Sequence, residues 1–97
     1  MGEQRTPGVI IGLPASTTAA GTRLQVSATA YGCRYLVVTA NTANTGWVYV
    51  GGSNVSSSVF LFQLEPGASC SLPIDRADKA YYDVSVNSEG IKAGYVV

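Results

Sequence analysis

Closely spaced turn residues are the feature of this sequence that most limits what it can fold into. From residue 22 onward, clusters of Gly, Pro, Asn, Asp and Ser divide the chain into short apolar segments; the clusters lie at 31–32, 41–46, 51–54, 65–67, 75–78 and 87–90. An amphipathic helix needs a 3.6-residue apolar period over about ten residues or more, and no segment sustains one. Short strands separated by regular turns are typical of all-β proteins.

The segments between the turns have the patterns of β-strands. Cys70, Leu72 and Ile74 alternate with polar residues, which predicts a strand with one buried face, and residues 22–29 show the same alternation. Segment 33–40 is apolar on both faces, as in a central strand. We therefore expect residues 22–97 to form a single antiparallel β-sandwich of about seven or eight short strands. Inward-facing positions are expected at Cys70, Leu72, Val84, Val86, Val48 and Val50.

Residues 1–21 differ in composition from the rest of the chain. Pro7, Pro14 and several glycines argue against a helix or a central strand in this segment. Its apolar part, residues 9–13, could pair as an edge strand of the same domain or lie across a neighbouring subunit as an extended N-terminal arm, and periodicity favours neither. The first residues also lack the basic and apolar regions of a signal peptide, so we expect synthesis in the cytoplasm without export.

Charge is scarce and balanced. Charged residues make up 12% of the chain, about half the usual ~25%. A soluble monomer normally carries more charge, which suggests that much of the surface contacts other protein. The six basic residues are scattered one at a time, so nucleic acid is not an expected partner. No apolar run approaches the ~20 residues that span a bilayer, and no membrane partner is expected.

The residues that usually carry chemistry are few. Histidine, the commonest general base and metal ligand, is absent. Cys33 and Cys70 occupy apolar positions of predicted strands, where we expect free, unreactive thiols. The carboxylates of Asp75, Asp78 and Asp83 match no calcium-binding loop, and Asp75 is expected to cap a one-turn helix. We expect no enzymatic activity, no cofactor and no metal.

Aromatic residues are more numerous than one small core needs: six Tyr, two Phe and one Trp. By strand parity, Trp47 and Tyr49 leave the face that Val48 and Val50 share. They could simply decorate an outer face, or form a subunit interface or a sugar-binding platform. Interface cores are enriched in aromatics and poor in charge, which favours the interface. The interface candidates are Val9, Ile10, Ile11, Leu13, Trp47, Tyr49, Val59, Phe60, Leu61 and Phe62.

Four motifs between Leu24 and Val97 carry a family resemblance: Cys33-Arg34-Tyr35, Asn44–Gly51, Leu64–Ser69, and Pro73-Ile74-Asp75 followed by Tyr81. In this order they resemble small virion structural proteins of tailed bacteriophages, of the capsid decoration (cement) or head-fibre type. The run Val59–Phe62 and the N-terminal arm have no counterpart in those motifs.

The resemblance implies a jelly-roll β-sandwich that forms a homotrimer on the capsid surface of a virion. Its partners would be further copies of the chain and the major capsid protein, and it would stabilise the shell through protein–protein contacts, without a cofactor. The alternative is a tail- or fibre-associated β-sandwich module that binds host-surface glycans through Trp47 or Tyr49.

Overall fold

The computed structural model describes residues 9–97; the first part of the predicted N-terminal arm, residues 1–8, lies outside the described residues. Its strands are β1 (Ile10–Gly12), β2 (Ser16–Thr18), β3 (Leu24–Gln25), β4 (Tyr35–Ala40), β5 (Val48–Gly51), β6 (Phe62–Leu64), β7 (Ser69–Leu72), β8 (Tyr81–Val84) and β9 (Glu89–Val96). The described part contains one helical element, a 3₁₀ turn at Ala77–Lys79. Residues 9–97 contain no helix with the length and apolar character needed to cross a membrane.

The strands form two antiparallel sheets, which confirms the all-β prediction. One sheet has the order β1-β9-β4-β7, with β2 also paired to β9, and the other has the order β3-β8-β5-β6. Strands β7, β8 and β9 alternate between the two sheets. The turn at residues 87–88 therefore carries the chain from one sheet to the other. A turn cluster such as Asn87–Gly90 predicts a hairpin between the flanking strands, but β8 and β9 do not pair with each other.

Buried side chains from both sheets form one hydrophobic cluster. Leu36 and Val38 of β4 contribute from the five-stranded sheet, and Val48 and Val50 of β5 from the other. Of the six positions predicted to point inward, five are buried: Cys70, Leu72, Val84, Val48 and Val50. Val86 is 40% exposed, because β8 ends at Val84 and the chain has left the sheet before it reaches this residue.

The strand predicted over residues 22–29 is reduced to Leu24–Gln25. The Ser27 hydroxyl donates to the Thr29 carbonyl (2.9 Å) and accepts the Thr29 N–H (3.2 Å), which turns the backbone away from the sheet. Such local bonds of serine compete with strand pairing. Val26 is buried as the alternation predicted, but Leu24 is 43% exposed, and Ala28 is exposed as well.

Residues 10–18 lie along β9 as the edge of the five-stranded sheet. Ile10 pairs with Val96, and Ser16 pairs with Ile91 further along the same strand. Pro14 has no N–H and falls between β1 and β2, where the pairing is interrupted. Of the two arrangements that the sequence left open, an edge strand or an arm on a neighbour, the described residues of this segment adopt the edge strand.

Close approach of β2 to β9 depends on a glycine. Thr17 is paired with Gly90. A Cβ atom at residue 90 would lie 2.8 Å from the Ser16 carbonyl carbon and 2.8 Å from the Thr17 Cα, closer than real Cβ contacts come. Both obstacles are backbone atoms, which cannot move aside as a flexible side chain can.

We predict that Gly90→Ala lowers the free energy of unfolding by about 1–3 kcal/mol, because the added methyl group forces β2 away from β9. Urea denaturation monitored by tryptophan fluorescence measures the change. Gly32→Ala is the matched control: a Cβ there has no atom within 4 Å, and we expect a change within about 0.5 kcal/mol. Equal stabilities for the two variants would contradict the pairing of β2 with Gly90.

Candidate functional site

The motif that begins at Asn44 is held by hydrogen bonds within the fold. The buried side-chain amide of Asn44 donates to the Gly90 carbonyl at 2.8 Å, and its oxygen accepts the Gly90 N–H at 3.2 Å. At the start of β9, the Asn44 side chain thus forms the two hydrogen bonds that the backbone of a neighbouring strand would otherwise form. Satisfying both backbone groups of a buried residue avoids the cost of leaving them without a partner.

The next two residues of the motif bind a carboxylate. Glu89 accepts the Thr45 N–H (2.7 Å), the Thr45 hydroxyl (2.8 Å) and the Gly46 N–H (2.9 Å). Partial burial raises the pKa of Glu89, but the hydrogen bonds from Thr45 and Gly46 outweigh it and leave the pKa below its ordinary 4.5. These motif residues therefore fix a turn against β9 and leave few free groups for a ligand.

A concavity of about 590 Å³ lies beside this turn, and Asn41, Thr42, Asn87 and Lys92 are among the residues that line it. No aromatic side chain is among its lining residues. It therefore lacks the stacking surface that the glycan-binding alternative requires.

The two cysteines are free thiols, as predicted. Burial raises the pKa of Cys70 to about 11, and burial together with the charge of Asp75 raises the pKa of Cys33. Both thiols are protonated at neutral pH and are poor nucleophiles.

Asp75 does not cap the 3₁₀ turn, which has Arg76 at its N-cap without a side-chain bond. The Asp75 carboxylate pairs with the Lys79 ammonium at 2.7 Å instead. Within residues 9–97, no three Cys, Asp or Glu side chains are grouped to hold a metal ion.

Tyr49 is not at the surface, contrary to the sequence-based expectation. Its side chain leaves the main core as parity predicted, but Phe60 covers it with ring centroids 5.2 Å apart, and Tyr49 is only 7% exposed. Val55 is buried on the same side, 3.4 Å from the position of a Cβ at Gly51. The loop of residues 52–61 therefore covers this part of the outer face of the four-stranded sheet.

The same loop presents an apolar surface to solvent. The Ser56 N–H donates to the Val59 carbonyl (2.8 Å), and the Val59 N–H donates to the Ser56 hydroxyl (3.1 Å), so the loop has a defined shape. Strand β6 begins only at Phe62, so the first three residues of the apolar run Val59–Phe62 lie in the loop. Leu61 is 73% exposed. We call the exposed residues Val59, Phe60, Leu61 and Phe62 the loop patch.

Trp47 lies apart from the loop patch along the strand. It precedes β5 and donates its backbone N–H to the Ser85 hydroxyl at 2.7 Å, whereas Phe62 pairs with Val50, three residues further along the chain. The Trp47 side chain is partly exposed, at 42%.

A second apolar surface lies on the outer face of the five-stranded sheet. Ile10, which is 77% exposed, stands beside Val96, and Tyr35 pairs with Val96 from the other side. Gly12 and Gly94 face each other within this surface and leave a shallow depression of about 320 Å³. We call Ile10, Tyr35, Val37 and Val96 the sheet patch.

The N-terminal interface candidates differ in how far they are exposed. Val9 and Ile10 are well exposed, Ile11 is 38% exposed, and Leu13 packs against the core. Sequence reasoning did not include Tyr35, Val37 or Val96 among the candidates. The sequence signal for Tyr35 and Val37 was that segment 33–40 is apolar on both faces. This pattern predicted a strand covered on both faces, but the outer face of β4 is open in the structure.

Comparison of the chain with protein-family models, curated proteins and solved structures gave no match.

The hydrogen bonds to Glu89 predict a specific pH dependence. Because the pKa of Glu89 is lower in the folded chain than its ordinary 4.5, its contribution to stability is present above pH 4.5 and is lost as the pH falls through the folded value. We expect Glu89→Gln to destabilise the protein at pH 7 and to reduce the loss of stability between about pH 5 and pH 3.

Urea denaturation at a series of pH values measures this effect. Glu65→Gln is the control, because the Glu65 side chain has no hydrogen-bond partner in the described part of the chain. Parallel pH profiles for the wild type and Glu89→Gln would show that the carboxylate does not hold the turn.

Proposed function

We propose that this protein is a virion structural protein of a tailed bacteriophage, a capsid decoration or cement protein with a jelly-roll β-sandwich fold. It assembles as a homotrimer, binds the major capsid protein and stabilises the shell without chemistry. The observation that carries the proposal is the loop patch, with Leu61 73% exposed at its centre. The resemblance of the turn motifs to those of such phage proteins supplies the biological context.

The loop patch has the physical character of a protein-binding surface. Burying a side chain such as Leu is worth about 1.5–3 kcal/mol, and three further large apolar residues adjoin it. Ser56 already holds the loop in shape through bonds to residues 58 and 59. A preformed loop loses little conformational freedom on binding, which leaves more of the burial energy for affinity.

Scarce charge supports the same function. Charged residues make up 12% of the chain, and charge depletion is characteristic of interface cores. A decoration protein works by adding buried area between neighbouring capsid subunits. Because it binds the assembled shell and not the separated subunits, binding raises shell stability by mass action and requires no cofactor.

The glycan-binding alternative has less support. It relied on a platform formed by Trp47 or Tyr49, and Phe60 covers Tyr49. Of these two residues only Trp47 remains exposed for stacking, and we keep sugar binding as an outcome of the test and not as a second proposal.

We predict that the purified chain has the mass of a trimer in light scattering and that Leu61→Asp shifts it to a smaller species. An aspartate in a buried contact carries an unpaired charge, which costs several kcal/mol. Ser53→Asp is the matched control, because it adds the same charge to an exposed position of the same loop. Circular dichroism verifies that both variants remain folded.

The second arm measures function on the particle. Heating capsids of the encoding phage with the wild type and with each variant reports shell stabilisation, which Leu61→Asp should reduce and Ser53→Asp should retain. A stable monomer that leaves shell stability unchanged would defeat the proposal, and binding of sugars through Trp47 would then support the glycan module.

A further inference from the structure

Strand β1 leaves alternate backbone groups facing outward. Val9 and Val97 exchange two backbone hydrogen bonds (3.4 and 3.0 Å), and the Leu13 N–H donates to the Ala93 carbonyl at 2.9 Å. Hydrogen-bonded and non-bonded pairs alternate along an antiparallel ladder. Residues 9, 11 and 13 therefore direct their backbone groups to β9, and those of Ile10 and Gly12 point to the opposite side, where no strand of the described chain pairs with them.

This edge is short, with three residues in β1, and it lacks charged side chains and proline, which protect many exposed edges against strand addition. Proteins protect exposed edges with charged side chains, with proline or with bulges. Residues 9–22 contain no charged side chain, and residues 9–13 contain no proline. A second copy of the same neutral edge would meet no charge repulsion there.

We propose that β1 pairs antiparallel with β1 of a second copy of this chain, across a two-fold axis at Ile11. In this register Ile10 of each copy lies opposite Gly12 of the other, and both pairs form two backbone hydrogen bonds. Moving the register so that Ile10 faces Pro14 loses a bond, since proline has no N–H. If the two Ile10 residues lay opposite each other, no Ile10 side chain of the second copy would lie next to Gly12.

Side-chain shapes favour the same register. Ile10 is the most exposed large hydrophobic side chain of the described residues, and it lies on the outer face of the sheet. A Cβ at Gly12 would have no atom within 4 Å, and the depression beside it is lined by Gly94, Val37 and Val96. Ile10 of the second copy, standing next to Gly12, would cover this apolar depression, and the two-fold axis repeats the contact.

This contact is distinct from the trimer contact of the proposed function, which uses the loop patch. Two paired three-residue strands bury less than the roughly 1,200 Å² of a stable interface. The pairing is therefore weak by itself and serves to join assemblies that are already formed. A two-fold contact brings identical surfaces together, so it could link one trimer to the next on a shell.

Disulfide trapping tests both the contact and its register. In the proposed register the two Ile11 residues form a non-hydrogen-bonded pair with Cα atoms about 4.5 Å apart, within the range that a disulfide spans. Ile11→Cys should therefore give a covalent dimer under mild oxidation. Ile10→Cys is the matched control: its thiol faces Gly12, and the two thiols are too far apart to bridge, so we expect at least about tenfold slower crosslinking.

Cys33 and Cys70 are present in both variants, and the wild type gives their background. Urea denaturation verifies that each variant folds, and adding Ile10→Ala to Ile11→Cys should slow the crosslinking by removing the side chain that covers the depression. Equal crosslinking rates for the two single variants, or no dimer from folded Ile11→Cys, would overturn the proposal. If Ile11→Cys crosslinks but the wild type is not a trimer, only the proposed trimer is wrong. If the wild type is a trimer but folded Ile11→Cys does not crosslink, only the two-fold contact is wrong.

Discussion

Hydrogen bonding along both sides of β9 is the constraint on which the rest of the structure depends. β4 pairs with one side of β9 from Ile91 to Val96, and the other side receives β2 at its beginning and β1 at its end. Gly90 makes the approach of β2 sterically possible, and Asn44 satisfies the backbone of Gly90. The N-terminal segment, the central strand and the turn before β5 are thus positioned by one strand.

The outer faces of the two sheets are covered to different extents, and this difference determines which apolar side chains reach solvent. Phe60 and Val55 cover part of the outer face of the four-stranded sheet, so Tyr49 is buried and the loop itself presents Leu61. The outer face of the five-stranded sheet has no such cover in the described chain, and Ile10 and Tyr35 remain exposed there. Two separate apolar surfaces on a chain with few charges are consistent with a role in assembly.

The sequence predicted well what depends on local pattern and poorly what depends on distant partners. Alternation identified the inward face of β7. Pro at the second position and Gly at the third are typical of a type II turn, and the structure has one at Glu65–Ala68: Gly67 has φ +85°, and the Ala68 N–H donates to the Glu65 carbonyl at 2.9 Å. Parity also placed Tyr49 on the outer face, but it could not reveal that Phe60 covers that face. The sheet patch was missed because it combines three strands that are far apart in sequence.

Hydrogen exchange of individual amides distinguishes the two edges of β1, because alternate residues of this strand bond to β9 and, in the proposed two-fold contact, to a second copy. In dilute protein we expect protected amides at Ile11 and Leu13 and rapid exchange at Ile10 and Gly12. At concentrations where the chains assemble, the amides of Ile10 and Gly12 should become protected as well. Protection of Ile10 and Gly12 in dilute protein, or unchanged exchange of these two amides on assembly, would show that the outer edge of β1 does not pair with a second copy.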